Sequence, residues 1–143
     1  MCGRFALAHV AGFWSRFVVP ATGFYEWKRS KDGKVPCYIH LKDDSFFAFA
    51  GLYDRWTNPD TDDLCTFTVI TATANTIMEK IHNRMPVILK ASDEDLWLSK
   101  ESLSETEGGR LLVPYSSRTL EAFEVSKEAN SPVNESKELI LPT

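Results

Sequence analysis

The sequence lacks any run of about 18 consecutive apolar residues, the length that a membrane-spanning helix requires. It also lacks an N-terminal basic stretch followed by an apolar segment and a cleavage site, so no secretory signal is predicted. A cytoplasmic address is expected in a prokaryote and a nuclear one in a eukaryote, with no membrane partner. Cysteine is scarce: three residues, Cys2, Cys37 and Cys65, with no CxxC pair. An odd count argues against a disulfide framework, and the spacing argues against a structural zinc site. No metal and no cofactor is therefore expected. Cys37 and Cys65 adjoin strand-like runs and read as buried packing residues. Net positive charge is absent too. The formal charge of −4 supplies no domain-wide field for nucleic acid, so any such binding needs a local basic patch.

What is present is ordinary for a globular domain. The 143 residues fit one domain, 1–143, and four Trp, four Tyr and nine Phe can furnish a core. β signals dominate the first half in FVVP, PCYIHL, SFFAFAGLYDRW and CTFTVITATA, separated by the turn clusters KRSKDGK, KDD and TNPDTDD. KRSKDGK predicts a hairpin between GFYEW and PCYIHL. The near-continuous apolar character of the strands predicts cover on both faces. NTIMEKI predicts a short helix capped by Asn75 and ending near His82. Ser92, three residues before Asp95, predicts a capping-box-like start to a second helix. Gly108 and Gly109 are expected to break the chain. The polar tail from Ser116 is expected as loop and edge strand. The fold class is α+β: a β-rich single domain with short helices around a mostly antiparallel sheet or a barrel-like core.

Three stretches can carry chemistry. The first is MCGRFALA. Removal of Met1 leaves Cys2 with a free α-amine, which titrates near ~7.7–8.0, and a thiol near ~8.5 on one residue. The plain alternative is a small buryable residue at a strand start. The second is ATGFYEWK, where Glu26 sits between Tyr25 and Trp27. In a strand Glu26 points away from both neighbours. A covered face would suit its carboxylate to proton transfer, and an edge position would leave it facing water. The third is KIHNRMPVIL, with His82 and Arg84 ahead of Pro86. Histidine shuttles protons at physiological pH, and arginine holds phosphate in bidentate fashion. The alternative is a cation pair satisfying helix-end carbonyls. His9 and His40 lack such company and read as structural or surface residues. Arg4, Arg16, Lys28, Arg29 and Arg84, with Trp14 and Trp27, could form a basic, aromatic strip for single-stranded nucleic acid or remain scattered solvated cations.

In order, MCGRF, VVPATGFYEWK, FAFAGLYDRW, FTVITATAN, IHNRMPVIL and the C-terminal VNESKELILP resemble the SRAP, or SOS-response-associated peptidase, family. The resemblance covers nearly the whole chain. It implies a β-rich domain, a monomer, with a positively charged cleft for single-stranded DNA bearing abasic sites, and exposure of Cys2 at the cleft floor once Met1 is lost. It further implies that the Cys2 amine and thiol together form a thiazolidine with the abasic aldehyde. Cys2, Glu26 and His82 would be catalytic, and Gly3, Arg4, Arg84 and Trp27 would contact DNA. Two other readings stand beside it. One is a non-catalytic single-stranded-DNA-binding module. The other is an N-terminal-nucleophile amidotransferase, whose chain also starts Met-Cys-Gly but which gives GFYEW and HNRMP no place. The sequence departs from the family at one point. AHVAGFWSRF runs almost directly into VVPATGFYEW, so the family's intervening segment is expected to be missing from a join near residues 11–17.

Overall fold

The structure, a computed structural model, describes residues 15–57 and 64–143. Cys2, Gly3, Arg4, His9 and Trp14 lie outside the described residues, as does most of the window around the expected join. Among the described residues nine strands run in chain order: β1 (Ser15–Ala21), β2 (Gly23–Ser30), β3 (Gly33–Leu41), β4 (Phe47–Trp56), β5 (Leu64–Val69), β6 (Thr71–Thr73), β7 (Arg84–Pro86), β8 (Ile88–Leu89) and β9 (Leu120–Glu124). Helices α1 (Ala91–Leu98) and α2 (Glu105–Leu111) and three short 3-10 turns complete the domain. The strands form three open antiparallel sheets. The first has the order β1-β4-β5 with β8 also on β4, the second β2-β3-β9, and the third β6-β7. The fold is β-rich α+β as expected, but the sheets do not close into a barrel.

The predicted hairpin is β2–β3. Ser30 pairs with Gly33 across a two-residue turn, and Gly33 adopts φ 113°, a conformation that glycine enters without steric cost. Ile39 and Cys37 of β3 bury into one core with Phe47, Phe49, Met78, Met85 and Leu120. A second core gathers Ala50, Val87, Leu89 and Leu111 around Trp97 of α1. The Trp97 indole N–H donates to the Phe17 carbonyl at 2.9 Å, while Arg16 Nε donates to the Trp97 carbonyl at 2.6 Å. The Arg16 guanidinium also reaches the carbonyls of Ser99 and Glu101. Arg16 therefore clamps the end of α1 to β1, where orphaned helix carbonyls need donors.

Several expectations need correction. β3 and the first half of β4 are covered on both faces, but β5 is an exposed edge strand. Phe67 is 72% exposed, and Cys65 is exposed where packing was expected. Ser92 lies inside α1, which starts at Ala91 after Lys90 and has no side-chain cap. The true capping box is at α2: the Ser104 hydroxyl accepts from the Glu107 N–H at 3.2 Å, and the Glu107 carboxylate accepts from the Ser104 N–H at 2.8 Å. Gly108 and Gly109 lie within that helix and do not break it. The capping box holds the first turn, and Gly108 is buried against the core side. The tail behaves as read: β9 is an edge strand and Leu139 of the late apolar patch is buried. Among the described residues no helix is long and apolar enough to cross a membrane.

Gly23 of GFYEW has a packing reason. A Cβ there would lie 2.3 Å from the Tyr38 ring and hydroxyl. Gly23→Ala is expected to destabilise the domain by about 1–3 kcal/mol through overpacking. Urea unfolding of both proteins measures this, and an unchanged midpoint would contradict the close approach.

Candidate active site

Glu26 sits in the middle of β2, opposite Cys37 of β3, and Cys37 is opposite Glu124 of β9. Side chains directly opposite in antiparallel pairs share a face. Glu26, Cys37 and Glu124 therefore form one row across the sheet, with Lys28 on the same face two residues along β2. Glu26 is half-buried, and its Oε1 accepts from the Trp27 backbone N–H at 2.9 Å. The Lys28 ammonium pairs with Glu124 at 3.1 Å. Burial pushes the Cys37 thiol above its ordinary pKa, and the Glu124 and Glu26 carboxylates add to this against the opposing pull of Lys28. Cys37 is thus held as an unreactive thiol at neutral pH.

Against this face packs the segment that carries the histidine. Asn75 does cap it: its Oδ1 accepts from the N–H groups of Ile77 and Met78 at 3.1 and 3.0 Å. Its amide donates to the Tyr115 carbonyl at 2.9 Å. The predicted helix shortens to a 3-10 turn, Met78–Lys80. Met78 is fully buried in the core beneath the sheet, and Ile77 and Ile81 pack beside it. His82 follows at the surface, with its N–H donating to the Met78 carbonyl at 2.8 Å. His82 Nδ1 lies 3.2 Å from both the Arg84 N–H and the Arg84 carbonyl, accepting from the first in one tautomer and donating to the second in the other.

Arg84 opens β7, opposite Thr73 of β6. Its guanidinium donates to the Thr71 hydroxyl from Nε at 2.9 Å and to the Thr71 carbonyl at 2.6 Å. Thr71 thereby fixes the plane of the fork. Sequence reading missed Thr71. The alternation of threonines with Ile70 and Ala72 in VITATAN was the available signal, because it puts the hydroxyls on one side of a strand. Trp27 lies on the sheet face opposite Glu26, where its indole N–H donates to Asn130 Oδ1 at 2.6 Å. Tyr25 shares that rear face and its hydroxyl donates to the Leu139 carbonyl at 3.2 Å. Of the cations that could form a basic strip, Arg16 is bound to the end of α1 and Lys28 is paired at the surface with Glu124. His40 stacks on Tyr38 with ring centroids 5.6 Å apart and lies 2.9 Å from Asp44, a structural position away from the candidate site. Among the described residues no group of His, Cys, Asp and Glu is arranged to hold a metal ion.

The chain is similar to known proteins. The family model of the SOS response associated peptidase (SRAP) matches residues 10–132. The chain is 46% identical over 126 residues to the abasic site processing protein YoqW of Bacillus subtilis, covering 87% of this chain and 56% of that protein. It is 31% identical over 147 residues to the abasic site processing protein HMCES of Gallus gallus, covering 89% of this chain and 43% of that one. A crystal structure of a protein from Bacteroides thetaiotaomicron superimposes with a TM-score of 0.80 at 32% identity, over 90% of this chain and 57% of the other. The chain spans about half the length of the curated relatives it matches. Matched by the family model over most of its length and at 46% identity to a curated relative, the chain belongs to the SOS response associated peptidase family.

Proposed function

We propose that this protein processes abasic sites in single-stranded DNA by forming a covalent adduct through Cys2 after Met1 is removed. The observation that carries the reading is the convergence of GFYEW and HNRMP from distant parts of the chain: the Glu26 face of β2–β3 receives the turn that leads into His82. The names of the curated relatives supply the substrate class. The chemistry follows from Cys2 itself. A ring-opened abasic site presents an aldehyde. The Cys2 α-amine adds to its carbon, and loss of one water gives an imine. The Cys2 thiol then adds its sulfur to the imine carbon while the nitrogen takes the proton, closing a thiazolidine. Only an N-terminal cysteine offers both nucleophiles at the spacing of a five-membered ring.

In this scheme the Glu26 carboxylate accepts and returns protons at the amine and the opening sugar. His82 assists departure of the hydroxyl in imine formation and the reversal of the imine. Arg84, oriented by Thr71, holds a phosphate beside the lesion, and Gly3 and Arg4 complete the DNA contacts. The contact expected of Trp27 is withdrawn, because its ring is on the sheet face opposite Glu26 and bonded to Asn130. Release of Met1 is the self-processing step behind the peptidase label. The protein acts as a monomer with no cofactor. The binding-module reading requires equal treatment of intact and abasic strands, and the amidotransferase reading requires ammonia from glutamine.

Met1-free protein mixed with an abasic single strand is expected to give a band that survives a denaturing gel. Cys2→Ser retains the amine but cannot close the sulfur ring, so its adduct should be labile. An equally stable adduct from Cys2→Ser overturns the role of the thiol. Glu26→Gln and His82→Ala are each expected to slow adduct formation about 10²–10⁴-fold with folding little changed. Unchanged rates in both would return them to structural roles.

The join near residues 11–17 belongs to the same proposal. We place the family's intervening segment between the two halves of this chain, where it would line the cleft. The intact protein is expected to weigh more than 16.2 kDa by mass spectrometry, and a mass matching that value would remove this segment from the account.

A further inference from the structure

A cavity of about 310 Å³ opens between the β2-β3-β9 sheet and the turn that leads into His82. Its apolar floor is Ile77, Ile81 and Ala122. Two lysines line it from elements far apart in sequence: Lys28 on β2 and Lys80 at the end of the 3-10 turn. Lys28 shares the sheet face of Glu26, and Lys80 lies two residues before His82. The cavity is thus lined by Cys37, the cross-strand partner of Glu26, and by the turn that precedes His82, and it contains neither candidate proton-transfer group.

We propose that this cavity holds a phosphodiester of the DNA strand next to the reacting nucleotide, with Lys28 and Lys80 as its cationic clamp and the apolar floor under the adjoining sugar. This rests on the reading of the protein as an abasic-site processor. The physical case has three parts. Lys80 is exposed and its ammonium makes neither hydrogen bond nor ion pair among the described residues, so its charge is available to a ligand. Lys28 is held in the cavity by Glu124 at 3.1 Å, with its side chain 44% exposed. An ion pair of that exposure is weak and open to exchange, so an arriving phosphate can take the cation from the carboxylate. The mixture of apolar floor and cationic rim also suits a nucleotide, whose sugar is largely apolar and whose linkage is anionic. Glu124 is then a gate on Lys28, and removing its charge should strengthen DNA binding.

The test is equilibrium binding of an intact, non-abasic single strand across a salt series. Such a strand cannot react at Cys2, so the readout is separate from adduct formation. Lys80→Ala is expected to weaken binding about 2- to 5-fold and to lower the salt slope by about 0.7, the value of one phosphate contact on a single strand. Glu124→Gln is expected to tighten binding by a similar factor. That gain should vanish when Lys28 is already Gln, and it should exceed the gain from neutralising the distant Glu105. An unchanged slope in Lys80→Ala, or an equal Glu124→Gln gain with and without Lys28, overturns the clamp while leaving the adduct chemistry standing. Absence of strand binding by the wild-type protein overturns both the clamp and the reading on which it rests.

Discussion

The pairing of β2 with β3 is the constraint on which the candidate site depends. Strand side chains alternate faces, so a slip of one residue would send Glu26 to the rear, among Tyr25 and Trp27, and bring an aromatic ring to the front. Three features hold the register. The two-residue turn needs Gly33 at φ 113°. Gly23 admits the Tyr38 ring where any Cβ would collide with it. β9 pairs with the other edge of β3, setting Glu124 beside Cys37 as Glu26 is set on the opposite side. Burial of Ile39 and Cys37 in the core rewards only this register.

The second half of the site is positioned by the core as well as by hydrogen bonds. Met78 is buried under the sheet and anchors a turn whose N–H groups Asn75 has already satisfied. His82 can then remain exposed without being loose, because its backbone returns to Met78 and its Nδ1 meets the Arg84 N–H. Arg84 is aimed in turn by Thr71 on the neighbouring strand. A carboxylate, an imidazole and a guanidinium thus stand on rigid elements. This is the kind of support that proton transfer and phosphate binding need.

Much of this was legible in the residues. KRSKDGK carries its own turn chemistry, and strand alternation alone separates Glu26 from its aromatic neighbours. Asn75 declared a cap, although the turn it caps is shorter than a helix because Met78 dives into the core. Other features depend on partners that no local pattern shows. Cys65 and Phe67 sit in an apolar run identical in kind to β3, yet β5 is an edge strand and they are exposed. Gly108 and Gly109 read as a break, and the Ser104–Glu107 capping box carries the helix through them. Arg16 read either as part of a basic strip or as a solvated cation, and the carbonyls at the end of α1 claim it. Spacing could not bring Cys2 together with Glu26 and His82, and that expectation comes from the family resemblance alone.

The central claim is that Cys2 supplies both bonds to the abasic carbon. Proteolysis of the adduct followed by mass spectrometry tests it directly. The account predicts the sugar remnant on the N-terminal peptide beginning at Cys2, with the combined mass reduced by one water and with no change on borohydride treatment, since a closed thiazolidine has no imine to reduce. Attachment at a lysine such as Lys80, or an N-terminal adduct that borohydride still reduces, would contradict it.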